Sequence, residues 1–291
     1  MTKLAATTVI VHVDDVGMCH GANVAYLDLM RRGAVTCGSV MVPCPWFREL
    51  AAMAAENPGL DIGVHLTLTS EWPQYRWGPI STASVTSGLI DDQGCFWRNL
   101  ALLAPRLVPE AAETEFRAQI DRALAAGIDV THLDTHMGAA LLPALVPIYV
   151  RLGLEYRLPV LFPRRLEEYF HVLKFADADP TVYRAALVRL EQDGMPLVDD
   201  FRMTPGVATE DSDRAYQALA STLPEGTVFL ALHPNQSGDI ETIVPPRAHF
   251  RTDEYRLLST GRFAGWLAER GAATSGYREL RDRWRSKLTA A

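Results

Sequence analysis

Short unbroken apolar runs alternate along this chain with stretches in which apolar residues recur every three or four positions. Residues 8–13 (TVIVHV) are continuous and β-branched, the pattern of a strand covered on both faces. Residues 21–32 then set Val24, Leu27, Leu29 and Met30 at helical spacing, and Gly33 supplies the stop. The same alternation predicts further strands over 38–42, 60–66, 129–133, 155–161, 196–201 and 227–232, with helices over 46–55, 110–126 and 214–223 among those between them. Strand–helix alternation of this kind builds a parallel sheet, open or closed into a barrel. Residues 70–98 break the rhythm with Trp72, Trp77, Trp97, several glycines and two prolines. A long irregular insertion in a compact domain is usually functional, as a lid or a binding loop. No internal repeat, low-complexity tract or linker divides residues 1–291, so one domain is expected.

Composition narrows the partners. The 291 residues are 48% hydrophobic and 22% charged, an ordinary globular balance. The formal net charge of -7 argues against nucleic acid or an anionic membrane as a main partner. The late basic residues Arg278, Arg281, Arg283, Arg285 and Lys287 alternate with Glu and Leu, as on the solvated face of a terminal helix. Cys19, Cys37, Cys44 and Cys95 form no C-x-x-C pair and read as buried reduced thiols, which suits a reducing compartment. The first apolar run ends in two aspartates rather than a small-residue cleavage site, and no stretch approaches the ~20 apolar residues that cross a bilayer. A cytoplasmic location is expected.

Four polar clusters stand at the ends of predicted strands: Asp14–Asp15, then His65 in DIGVHLTLT, then His132, Asp134 and His136 in THLDTH, then His233 in LALHPN. In parallel α/β folds the carboxyl ends of the strands build the site, so these clusters face one crevice. Singly each is weak: a histidine after a strand is commonly a hydrogen-bonded core residue, Asp-Asp before Gly17 suits an acidic turn, and H-x-D-x-H suits an alternating strand. Their coincidence at four strand ends carries the weight. One carboxylate and two imidazoles suit a divalent ion with an open position for water. Paired aspartates allow one to bind the metal while its neighbour takes a proton from water, and His233 is available to protonate a leaving amine. Base, metal and acid make an amide hydrolase.

The motif order resembles the YdjC/ChbG family of carbohydrate deacetylases, relatives of the polysaccharide deacetylases. The matching pieces are HVDDVGMCHGAN at 12–23, GAVTCGSVMV at 33–42, DIGVHLTLT at 61–69, THLDTH at 131–136, LALHPN at 230–235 and SGYREL at 275–280. The resemblance implies a distorted, incomplete (β/α) TIM-like barrel and deacetylation of N-acetylglucosamine-type mono- or oligosaccharides. It assigns Asp15, His65 and His136 as metal ligands, Asp14 as general base and His233 as acid. It also sets Arg157 where relatives place an arginine beside the base. One divalent ion is expected, zinc or magnesium foremost. The chain departs from the family where His136 continues as Met137-Gly138-Ala139-Ala140 rather than with further histidines, which alters one wall of the cleft. His132 and Asp134 are read as structural or ligand-orienting residues, and His20 as a cleft or helix-start residue.

Three other readings stand beside this one. A hydrolase of another acetylated amine or ester would use the same site. A binding-only barrel is disfavoured by the second carboxylate, and a Schiff-base aldolase by lysines confined to Lys3, Lys174 and Lys287. The tryptophans of the insertion suit either stacking on a sugar ring or packing against each other or a second copy in a homodimer.

Overall fold

The computed structural model describes residues 7–81, 84–165, 170 and 179–290; Lys3 and Lys174 lie outside them. Strand β1 (Thr7–Val16) leads into helix α1 (His20–Arg31), β2 (Cys37–Val40), α2 (Phe47–Glu56) and β3 (Ile62–Leu66). After the irregular insertion come α3 (Leu100–Leu103), α4 (Pro109–Ala125), β4 (Val130–Thr135) and α5 (Val146–Glu155). The remainder is α6 (Pro180–Gln192), β5 (Asp200–Met203), α7 (Ser212–Ser221), β6 (Gly226–Leu232), α8 (Asp239–Ile243), α9 (Ala248–Ser259), α10 (Arg262–Glu269), β7 (Ala273–Thr274) and α11 (Tyr277–Ala290). Among the described residues no helix is long and apolar enough to cross a membrane.

The strands pair in the order β4-β3-β2-β1-β6-β5, all parallel, with β7 added beside the start of β1. β1 is central and almost wholly buried, as its unbroken apolar run requires. Between β4 and β5 the ladder is spanned by residues 158–163, which touch each side through a single bridge, Leu133 to Val160 and Pro163 to Val198. This is the physical sense in which the TIM-like barrel is incomplete. The strand expected over 155–161 is corrected accordingly. Glu155 still belongs to α5, Arg157 turns the chain with φ 54°, and only the segment after it runs extended. Pro159 lacks an N–H, so regular pairing of this segment with β4 is broken at that residue.

Helices follow the same local logic. α1 buries Ala22, Ala25, Tyr26 and Leu29 on one face and stops where Gly33 takes φ +66°. α4 opens on Pro109, and α6 opens on Pro180 with the Asp179 carboxylate capping Thr181 N at 2.9 Å. On the terminal helix α11, Arg283 and Lys287 are exposed as a solvated face requires, but Arg278 and Arg281 depart from it. Arg281 is buried on Asp129 and the Val130 carbonyl, and Arg278 holds Asp129 and the Leu60 carbonyl, while Tyr277 and Trp284 pack inward. α11 thus closes the amino-terminal end of the sheet.

The insertion is folded onto the body rather than free. Glu115 of α4 accepts hydrogen bonds from Ile80 N and Ser81 N, and Gln119 bridges to both backbone groups of Thr67. Trp77 and Trp97 donate their indole N–H to the Thr69 and Gly88 carbonyls at 2.8 and 2.9 Å. The N–H groups of these two rings are thus satisfied within the chain, Trp77 being buried and Trp97 and Trp72 half-buried. Three cysteines are buried and Cys95 is half-buried, all as free thiols.

Candidate metal centre

Every cluster singled out in the sequence lies at or near the carboxyl end of a strand: Asp14 and Asp15 on β1, His65 on β3, Asp134 and His136 at the end of β4, His233 after β6. Neighbouring residues of a regular strand point to opposite faces, which would divide the two aspartates. The pairing of β1 with β2 slips between Val13 and Val16, and Asp15 takes φ 61°. This irregularity turns both carboxylates toward the same rim, the usual effect of a bulge beside a site. A left-handed aspartate is uncommon, and its strain is held by what surrounds it.

Asp15 Oδ2 receives Arg251 Nη2 at 2.7 Å. Its other oxygen is buried and accepts no hydrogen bond, although His136 Nδ1 stands at 3.1 Å and His65 Nε2 at 3.5 Å. These contacts are close but misaligned for a proton between the atoms. The ligand atoms of Asp15, His65 and His136 all fall within 4.8 Å of one another. A carboxylate oxygen that no hydrogen bond satisfies, faced by two imidazole nitrogens, fits a divalent cation of the zinc type.

Each of these imidazoles is oriented from behind. His65 Nδ1 lies 2.9 Å from Asp134 Oδ1 and 3.0 Å from Ser39 Oγ, which itself donates to Asp134 Oδ2 at 2.8 Å. His136 Nε2 lies 3.0 Å from Glu71 Oε2. A carboxylate behind each ring leaves the opposite nitrogen facing Asp15. Burial works against a proton on His65, but Asp134 and Asp15 outweigh it and hold its pKa well above the imidazole norm. Burial likewise opposes the charge on His136, and Glu71 with Asp15 pushes it up to about 9. Burial also opposes the charge of Asp15, yet Arg251 and the imidazoles hold its carboxyl far below the usual range. Protons therefore occupy the imidazoles that a cation would use, balancing the carboxylates around them.

Asp14 has a separate set of partners. His12 Nδ1 lies 2.7 Å from Asp14 Oδ1, and His233 Nε2 lies 3.7 Å from Asp14 Oδ2. Asp14 and His233 are the more accessible members, with side chains 13% and 19% exposed against 3% for Asp15 and His65, so the open side of the site lies between them. Behind Asp14 a polar chain descends through the interior: His12 Nε2 to His132 Nε2 at 2.9 Å, His132 Nδ1 to Thr131 Oγ1 at 2.9 Å, and Thr131 to Asp61. A Cβ on Gly63 would lie 2.5 Å from the His132 ring, so glycine alone leaves that imidazole room. Burial and nearby His12 press the His132 pKa well below normal, which keeps it neutral. His12 also falls in two other groupings of potential ligands, with Cys37 and His132 and with Asp14 and Asp134. Both its nitrogens are engaged in hydrogen bonds, so neither grouping matches the open geometry at Asp15.

His132, Asp134 and His136 therefore share one side at three depths: interior, behind His65, and rim. Arg157 does not join them. It is exposed near the amino-terminal end of the sheet, where its carbonyl accepts from Arg285 of α11. The arginine that reaches the aspartate pair is Arg251 of α9, and it pairs with Asp15. His20 is exposed and paired with Glu49, in keeping with a helix-start residue. Sequence reasoning missed Arg251, Glu71, Ser39 and His12. His12, two residues before Asp14, is the one whose spacing gave a signal.

The YdjC-like protein family model matches residues 8–269. This chain belongs to that family. A carbohydrate deacetylase of Thermus thermophilus is 42% identical over 158 residues, 54% of this chain and 54% of that protein. The chain thus spans just over half the length of curated relatives matched in this way. A carbohydrate deacetylase of Listeria welshimeri is 31% identical over 279 residues, 94% of this YdjC-like chain and 99% of the relative. Among solved structures, a protein of Enterococcus faecalis proposed to be a cellobiose-phosphate cleavage protein superposes with a TM-score of 0.73 at 23% identity, covering 96% of this chain and 99% of that one. That likeness is one of fold.

Proposed function

We propose that this YdjC-like protein is a divalent-metal hydrolase that removes the acetyl group from an N-acetylated sugar of the N-acetylglucosamine type. The observation that carries the reading is the convergence of Asp15, His65 and His136 around an unsatisfied oxygen, with Asp14 held apart by His12. Family membership and the named activity of the Thermus and Listeria relatives support the substrate class. Asp15, His65 and His136 would hold the cation, and two nitrogen donors favour zinc over magnesium, which prefers oxygen. The cation, when bound, supplies positive charge that polarises the acetyl carbonyl and acidifies water.

The remaining work falls to the chain's own groups. Asp14, tethered by His12 rather than by the ligand cluster, accepts the proton of the attacking water. His233 Nε2, across the opening from Asp14, delivers a proton to the departing amine. Arg251 keeps Asp15 ionised for ligation, and Glu71 and Asp134 fix which imidazole nitrogens face it.

The test is acetate release from N-acetylglucosamine and its short oligomers by protein purified without chelator, together with metal analysis. About one divalent ion per chain and acetate from at least one sugar are expected, both lost in Asp15→Ala. Metal retention by Asp15→Ala would remove the ligand assignment. A metal-loaded protein that releases acetate only from non-sugar amides or esters would replace the substrate class.

A further inference from the structure

Behind His233 lies a second arrangement that the deacetylase reading does not use. His233 Nδ1 is 2.8 Å from the Thr204 hydroxyl, and Thr204 is 2.6 Å from Glu254 Oε1. Tyr216 donates to the same oxygen, and the backbone N–H of His233 donates to Glu254 Oε2 at 2.5 Å. Glu254 is fully buried on α9, Thr204 follows β5 and His233 follows β6, so three elements build the contact.

A threonine hydroxyl has one hydrogen, which makes this path directional. With Glu254 ionised, Thr204 donates to it, His233 donates from Nδ1, and Nε2 faces Asp14 as a lone pair. With Glu254 protonated on Oε1, each donor along the path reverses: the carboxyl donates to Thr204, Thr204 donates to Nδ1, and Nε2 carries the hydrogen toward the opening, while Tyr216 and the His233 backbone N–H still donate to the carboxyl. Only the second arrangement gives neutral His233 a proton to deliver.

Resting on the deacetylase reading above, we propose that Glu254 is a positioning residue that acts through Thr204, storing the proton that gives His233 its acid form. As the amine takes hydrogen from Nε2, Nδ1 takes the Thr204 hydrogen and Thr204 takes the carboxyl hydrogen of Glu254. One N–H bond forms on the amine, one O–H bond is lost at Glu254, and His233 stays neutral throughout. The proton that the water gave to Asp14 returns to Nε2 and restores Glu254 by the reverse path. Burial supports the store by raising the Glu254 carboxyl to about 7, against the pull of its three hydrogen-bond donors.

Two substrates separate this role from a structural one. An N-acetyl sugar needs its amine protonated to leave, whereas 4-nitrophenyl acetate releases a phenolate that needs no proton. Glu254→Gln, which keeps the shape but cannot release a proton, and Thr204→Val, which breaks the path, are each expected to lower kcat on the amide ~100-fold with KM little changed. The loss on the aryl ester should be at least tenfold smaller, and Thr204→Ser should restore the amide rate. Equal losses on both substrates, or an undiminished amide rate in both variants, overturn the relay while the deacetylase reading stands. A metal-loaded wild-type protein inactive on both substrates overturns the two together.

Discussion

Carboxylates stand at both ends of this sheet, buried Asp61 with exposed Asp129 at the amino end, and the two ends are treated in opposite ways. At the amino end, Asp61 receives Thr131 and the Arg278 backbone N–H, and Asp129 receives Arg278 and Arg281, so every oxygen of the pair is hydrogen-bonded. At the carboxyl end, Asp15, Asp134 and Glu71 each keep one buried oxygen without a hydrogen bond, and each has an imidazole beside it, with Arg251 on the other oxygen of Asp15. A hydroxyl, a backbone N–H and a guanidinium keep their protons near neutrality, so the first set is suited to holding the chain together. An imidazole exchanges its proton near neutrality, so the second set is suited to a ligand. The difference separates a structural charge cluster from a chemical one better than burial does.

The comparison breaks most visibly at Asp14. Asp14→Asn should keep its metal but lose ~100-fold or more of its acetate release, the scale of a general base. Unchanged turnover in that variant would return Asp14 to the structural class.

A smaller effect is expected behind His136. Glu71→Gln should weaken cation binding by ~10–100-fold, as loss of an orienting carboxylate does. The wild-type His136 pKa of about 9 also fixes a sign. In cation-free protein, the stability tied to this proton is complete below pH 6.5 and is lost as pH rises through about 9. Cation binding displaces the protons of both imidazoles, so apparent affinity should climb with pH through about 9. Glu71→Gln should make that climb level off at lower pH in a competition titration. An unaltered pH profile would show that Glu71 does not govern the proton on His136.

The smallest catalytic effect belongs to the amino end. Arg281→Ala should cost roughly 1–2 kcal/mol in urea unfolding, because it leaves the buried Val130 carbonyl without its donor, while exposed Asp129 is met by water. Its kcat/KM should not change. A drop in turnover without a loss of stability would join the two ends functionally.

Much of this is legible in the amino-acid sequence itself. Unbroken runs such as TVIVHV announced β1 and β6 to within a few residues, because strands covered on both faces leave no ambiguity of pattern. The metal-centre candidates were legible because parallel strands deliver their last residues to one rim. Arg157 misled because it falls before an extended segment that looks like a strand but begins at the far end of the sheet. Arg251 and Glu254 escaped notice because they sit on a helix after the strands, where a charged residue at helical spacing reads as surface. Glu71 escaped because an insertion has no period to place it. Partners supplied from outside the strand ends are set by tertiary packing, and no local spacing encodes them.

The slip in pairing at Asp14–Asp15 makes this stretch sensitive to its length as well as to its residue types. Deleting a single residue between Val13 and Val16 would restore an even pleat, but the residue lost would be Asp14 or Asp15. One carboxylate would then remain, on the face that carries His12, and could not serve as ligand and base together. A loss of one codon here would accordingly do more harm than most exchanges of one amino acid for another.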